Sequence, residues 1–144
     1  MIAFVDASVV LRLLFEEPGQ LPEWDEVDVG YGSRLLRLEI ARVIDRNRLL
    51  GRIVDDDVAR LGEDAEQLIS GLEVVAMNDD ILDAAARPMP TVVGSLDAIH
   101  LATALEVKRR LAPTLCFATH DAQLATAARA CGFHVVGVER APLQ

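Results

Sequence analysis

An open α/β/α sandwich, with helices on both faces of a mostly parallel sheet of about five strands, is the fold class that the sequence predicts. Three observations predict it. Short apolar runs of strand composition alternate with helical stretches along the whole chain, which implies right-handed crossovers and parallel pairing. The opening run, Ile2–Val5, is unbroken and rich in β-branched and aromatic residues, as suits a strand buried on both faces. Hydrophobic residues make up 51% of the 144 residues and mean hydropathy is +0.26. That is high for a small domain unless its sheet is covered twice or an apolar patch is kept for a partner.

The elements follow in order. Ile2–Val5 is the first strand, and residues 7–15 form a helix that ends before Pro18-Gly19. The stretch 21–28 is acidic, with Trp24 as a packing anchor, and 29–32 is a second strand. Ser33 caps a long helix over 34–50, which stops at Gly51. Asp55, Asp56 and Asp57 open a helix that runs to about Ser70, where three acids complement the positive end of the helix dipole. Residues 72–77 make a strand and 79–86 a short helix ending at Arg87-Pro88. After a loop with Pro90 and Gly94, Ser95 caps a helix from Leu96 to about Arg110. A strand over 114–118, a helix over 120–131 and a last strand over 133–136 complete a single domain spanning 1–144.

Composition excludes several function classes. No apolar run is long enough to span a membrane, and the start of the chain lacks the basic leader of a signal peptide. Cys116 and Cys131 are too few for a disulfide framework and read as reduced core thiols of a cytoplasmic protein. With 14 Lys+Arg against 23 Asp+Glu the net charge is −9, so general attraction to nucleic acid is absent. A polyanionic substrate would have to be held by bound cations or by local arginines. Arg34, Arg37, Arg42, Arg46 and Arg48 cluster on the long helix, where a solvated face paired with local acids explains them as well as an RNA-guiding strip.

Four acids stand where this architecture would gather them. Asp6 directly follows the first strand, and Asp121 follows the strand that ends at Ala118. Asp97 lies in the first turn of its helix. Glu39 borders the apolar stripe Leu36, Ile40 and Val43, so it can point at the rim of the sheet. Helix capping would account for Asp6, Asp97 and Asp121 one at a time, at about 0.3–1 kcal/mol each. It does not account for their joint location beside Glu39. Two carboxylates about 5 Å apart repel by roughly 3 kcal/mol at an effective dielectric near 20. Such a cluster needs protons or a divalent cation, and an all-oxygen donor set favours Mg²⁺ or Mn²⁺ over zinc.

Four segments then resemble the signatures of the PIN-domain family, and within it the VapC toxins. They are Asp6-Ala7-Ser8, Leu38-Glu39-Ile40-Ala41-Arg42, Leu96-Asp97-Ala98-Ile99-His100-Leu101-Ala102-Thr103-Ala104, and Ala118-Thr119-His120-Asp121-Ala122-Gln123-Leu124-Ala125. Each alone is unspecific; the four in order, across nearly the whole chain, are specific. The resemblance implies a PIN-like sandwich with Asp6, Glu39, Asp97 and Asp121 as a catalytic, metal-binding quartet. Ser8 and Thr119 match positions where the family often keeps a hydroxyl beside the site. It also implies a Mg²⁺-dependent endoribonuclease (Mn²⁺ able to substitute), a cytoplasmic homodimer, an RNA substrate and a cognate VapB-like antitoxin. Gly94 departs from the pattern, since many relatives carry a basic residue near the Ser-Leu-Asp.

The histidines are expected to be ordinary: His100 packed or hydrogen-bonded beside the site, His120 facing solvent, His134 packed inside the last strand. The first helix carries more apolar residues, Val9, Val10, Leu11, Leu13, Leu14 and Phe15, than one buried face needs. Rival classes fare worse. A receiver domain needs a lysine after its last strands, and Lys108, the only lysine, lies within a helix. A haloacid-dehalogenase-like phosphatase wants a second Asp where Ser8 stands. The remaining alternatives are a PIN-like module that binds RNA or a partner without cutting, and a PIN nuclease outside a toxin–antitoxin pair.

Overall fold

The computed structural model describes residues 1–139. Strands β1 (Ile2–Val5), β2 (Val29–Ser33), β3 (Glu73–Val75), β4 (Cys116–Ala118) and β5 (Val135–Val136) form one sheet in the order β3-β2-β1-β4-β5. Every pairing is parallel. The helices are α1 (Ala7–Leu14), α2 (Leu35–Leu49), α3 (Asp55–Ser70), α4 (Asp79–Ala85), α5 (Ser95–Arg110) and α6 (Ala122–Ala130). The chain winds outward from β1 to β3, then returns to the other side of β1 for β4 and β5. The winding therefore reverses at β1, where a parallel sheet leaves a crevice outside its carboxyl ends.

The two-residue period of β1 divides the core. Ala3 and Val5 face a buried cluster with Val9 and Val10 of α1, Ile40 and Ile44 of α2, and Leu61, Ala65 and Ile69 of α3. Phe4 points the other way, into a second cluster with Leu101, Ala104 and Val107 of α5 and Leu124, Ala127 and Ala128 of α6. Helices α1 to α3 thus cover one face and α5 and α6 the other, and α4 packs along α5. Both faces are sealed, as the apolar composition requires. Trp24 sits in a 3-10 turn, Trp24–Glu26, and packs half-buried against the first cluster.

Several boundaries differ from those expected. The strand expected over 72–77 shrinks to Glu73–Val75, because β3 is an edge and pairs only with Tyr31, Gly32 and Ser33. The last strand pairs only through Val135 and Val136, and the strand expected over 114–118 begins at Cys116. Apolar runs mark burial, whereas strand length is set by the partner available. Ser33 closes β2 and Arg34 takes the cap position of α2 with no side-chain bond there, so the expected Ser33 cap is displaced by one residue, although its Oγ still accepts from the Leu35 amide at 3.1 Å. The chain leaves α2 through Gly51, whose φ of 67° is open to glycine. Ser95 does not cap α5. It is the first helical residue, with extended Gly94 at the cap position and no side-chain bond there. The final helix starts at Ala122 with Asp121 as its cap.

Candidate active site

Asp6 leaves β1 beside the end of β4, its amide donating to the Ala118 carbonyl at 3.0 Å. The side chain is nearly buried and one of its oxygens is saturated. Oδ2 accepts from the Ser8 amide at 3.2 Å, the Ser8 hydroxyl at 2.5 Å and the Thr119 hydroxyl at 3.0 Å. Each hydroxyl gives its single proton to Asp6 and uses a lone pair for a backbone amide: Ser8 accepts from His120 at 2.9 Å, Thr119 from Asp121 at 3.0 Å. Two hydroxyls therefore tie the ends of β1 and β4 together around one carboxylate. Asp6 also caps α1, so its capping role and its place in the site are both real.

His100, wholly buried on α5, approaches from the opposite side. Its Nε2–H donates to Glu39 Oε2 at 2.7 Å, and the same nitrogen lies 3.8 Å from Asp6 Oδ1. The ring meets Phe4 edge-on at 6.3 Å between centroids, and Nδ1 has no hydrogen-bond partner among the described residues. Burial opposes a charge on this ring, but the hydrogen bond and charge of Glu39, with Asp6 and Asp97 behind, hold its basicity above that of an ordinary histidine. Glu39 reaches this point from α2 because it borders the buried residues Leu36 and Ile40.

Asp97 lies one turn before His100 on α5. Burial, and then the negative charges of Asp121 and Asp6, push its carboxyl above the usual range, against the opposing pull of His100 and the Gly94 amide. Asp121 caps α6, with Oδ1 accepting from the Leu124 amide at 2.8 Å. Asp6, Asp97 and Asp121, carried by three elements, thus lie within electrostatic reach of one another, and Glu39 joins them through His100. All the carboxylate donors are hard oxygens, which suits Mg²⁺ or Mn²⁺. As the side chains stand, no three His, Cys, Asp or Glu residues among those described are arranged to hold a metal ion. Asp6, Glu39 and Asp121 each have an oxygen engaged by protein donors. The donor chemistry fits a divalent ion, and side-chain rotation would have to complete the cage.

A groove of about 310 Å³ opens beside this cluster, lined by Ser8, Arg12, Phe15, Val43, Asn47 and Asp121 among others. His120 also borders it and does not simply face solvent as expected. The ring is half-buried, Nδ1 donates to the Gly137 carbonyl at 3.1 Å, and burial lowers its basicity. His134 is exposed and precedes β5, because that strand is shorter than its apolar run. On α2, Arg37 pairs with Glu66, and Arg42 and Arg48 pair with Asp45, so these three form the solvated face. Both cysteines are free, Cys116 buried and Cys131 half-buried, and burial pushes both thiols up, which disfavours the thiolate.

Gly137 buttresses the site from the residue just after β5. Its φ is 93°, and a Cβ there would stand 2.3 Å from the Thr119 carbonyl oxygen. Gly137→Ala is therefore expected to destabilise the fold by roughly 1–3 kcal/mol through backbone strain, read as a lower melting temperature in thermal denaturation.

A family model described as "PIN domain" matches residues 3–130, which include all four signature segments. The chain belongs to the PIN-domain family. More narrowly, it is similar to Ribonuclease VapC47 of Mycobacterium tuberculosis (strain CDC 1551 / Oshkosh), at 32% identity over 137 residues, covering 90% of this chain and 92% of that protein. Among solved structures, VapBC2 from Rickettsia felis, bound to a DNA fragment from its promoter, aligns with a TM-score of 0.64 at 9% identity, covering 94% of this chain and 97% of that one. VapBC-5 from Mycobacterium tuberculosis aligns with a TM-score of 0.59 at 17% identity, covering 95% and 98%. At such low identity these two likenesses are of fold.

Proposed function

We propose that this protein is a Mg²⁺-dependent endoribonuclease, with Mn²⁺ able to substitute, and the toxin of a VapBC-type toxin–antitoxin pair. One observation carries the reading: Asp6, Asp97 and Asp121 come from three elements to the point where the winding of the sheet reverses, with Glu39 joined to them through His100, and burial with the charges of Asp121 and Asp6 disfavours ionisation of Asp97. A cluster that disfavours its own ionisation gains most from a divalent cation. Such an ion would supply an acidified water and would neutralise charge on the attacking and leaving oxygens of a phosphodiester.

The chain's own residues orient what the ion would bind. Ser8 and Thr119 lock Asp6 through Oδ2, and Oδ1 is left without a hydrogen-bond donor among the described residues. Thr119 also fixes the amide of Asp121 and so the start of α6. Asp97 rises from the first turn of α5, and Glu39 reaches in from α2. A divalent ion also answers the charge problem, since a chain of net charge −9 needs positive charge where phosphate sits.

Support for the toxin role comes from the similarity to Ribonuclease VapC47 and from the fold shared with VapBC2 and VapBC-5. A VapB-like antitoxin, partly apolar and partly basic, would suit the high apolar content and the negative charge. A cytoplasmic homodimer is part of the same proposal; no helix among the described residues is long and apolar enough to cross a membrane. The test is RNA-end mapping after brief induction of the wild type and of Asp97→Asn. Cuts bearing 5′-phosphate and 3′-hydroxyl ends are expected from the wild type alone. Ends with 2′,3′-cyclic phosphate would mean that the ribose hydroxyl, not water, is the nucleophile, and would overturn the mechanism.

A further inference from the structure

We propose that His100 is a positioning residue: by donating Nε2–H to Glu39 across the carboxyl end of β1, it fixes the carboxylate that α2 brings to the site and so sets the site's affinity for a divalent ion. The inference rests on the metal-dependent reading above.

Four observations carry it. The bond is short, 2.7 Å, and its donor is wholly buried, which shelters it on the histidine side and strengthens it. No other donor among the described residues is hydrogen-bonded to Glu39, which leaves His100 to hold it. The two residues come from helices on opposite faces of the sheet, so the contact locks α2 to α5 directly over the site. The ring is packed edge-on against Phe4 and stands one turn from Asp97, so the positions of Glu39 and Asp97 are coupled through α5.

Nδ1, without a partner among the described residues, argues against a purely structural histidine. A buried polar atom left without a partner costs about 1–3 kcal/mol. Leucine at this position would carry no such cost and would fill a core site as well. What leucine cannot do is face Glu39 and Asp6 together with an N–H. Without that donor, the two carboxylates would meet across an apolar side chain, and Glu39 would be free to turn outward to solvent from its place on α2.

The experiment is calorimetric titration of the full-length chain with Mn²⁺, with a thermal melt of each variant to confirm folding. His100→Leu is expected to weaken Mn²⁺ binding about 10–100-fold, the usual effect of removing a group that holds a metal-binding side chain. His100→Gln, whose amide N–H reaches the position of Nε2, is expected to restore most of that affinity. In a Glu39→Gln background the leucine change should have no further effect. If the leucine variant fails to fold, His100→Asn makes the same comparison, because its shorter amide reaches only the position of Nδ1. Wild-type affinity in His100→Leu, equal weakening in all His100 variants, or an undiminished effect in the Glu39→Gln background would each overturn the proposal. Heat in the wild type that is lost in Asp97→Asn, together with a flat His100 series, would overturn this inference alone. No heat in the wild type would overturn the metal-dependent reading with it.

Discussion

Asp97→Asn is expected to lose RNA cleavage by at least about 10³-fold while the domain stays folded. A bound ion supplies several kcal/mol of transition-state stabilisation, and each 1.36 kcal/mol is tenfold in rate. Stability should move the opposite way from activity. Asp97 is half-buried, and its carboxyl is raised by burial and by Asp121 and Asp6, so its ionised form is disfavoured in the folded chain. A neutral amide of the same shape removes that repulsion. The melting temperature near neutral pH should therefore hold or rise as activity disappears, which separates a loss of chemistry from a loss of fold. Asp6→Asn should also abolish cleavage and keep the fold, because a side-chain carbonyl oxygen can still accept from Ser8 and Thr119. Single-turnover cleavage assays beside thermal melts read both quantities. Wild-type cleavage by either asparagine variant would remove that carboxylate from the mechanism.

Phe117→Ala is expected to cost about 3–5 kcal/mol of stability, the range for deleting a buried aromatic ring from a core. Phe117 is fully buried at the centre of β4, stacked on Phe4 at 5.3 Å and edge-on to Phe133 at 5.6 Å. Its removal opens the middle of the second cluster, between β1, β4 and the turn before β5. Domains of this kind are stable by only about 5–15 kcal/mol, so the variant should lie close to its unfolding threshold, with a much lower urea midpoint. Activity should fall with it, because Thr119, two residues further on and just past the end of β4, holds Asp6 and the amide of Asp121. A midpoint near that of the wild type would show that the cluster collapses around the gap.

Much of this was legible in the sequence where the cause is local. Ile2–Val5 and Asp55–Ser70 have the bounds that the apolar run of the one and the acidic first turn of the other indicate, because each is specified by its own residues. Asp6 and Asp121 lie at strand ends and Glu39 at the edge of an apolar stripe, so period and position alone bring them toward one rim. What escaped depends on partners far away in the chain. The length of β3 is set by β2, and the orientation of His120 by Gly137 and Ser8, which no local pattern announces. The bond from His100 to Glu39 spans 61 residues and joins two layers. The three-residue offset of His100 from Asp97 suggested a neighbour of the site without revealing its partner. Ser95 misled for the opposite reason: it is a good capping residue, but extended Gly94 already occupies the cap position.

The most direct measurement is cleavage of a defined RNA by the purified protein, first in excess chelator and then with Mg²⁺ restored. The proposed function predicts no cutting in chelator, recovery with Mg²⁺ or Mn²⁺, and none under either condition for Asp97→Asn. Cutting that persists in chelator would contradict it.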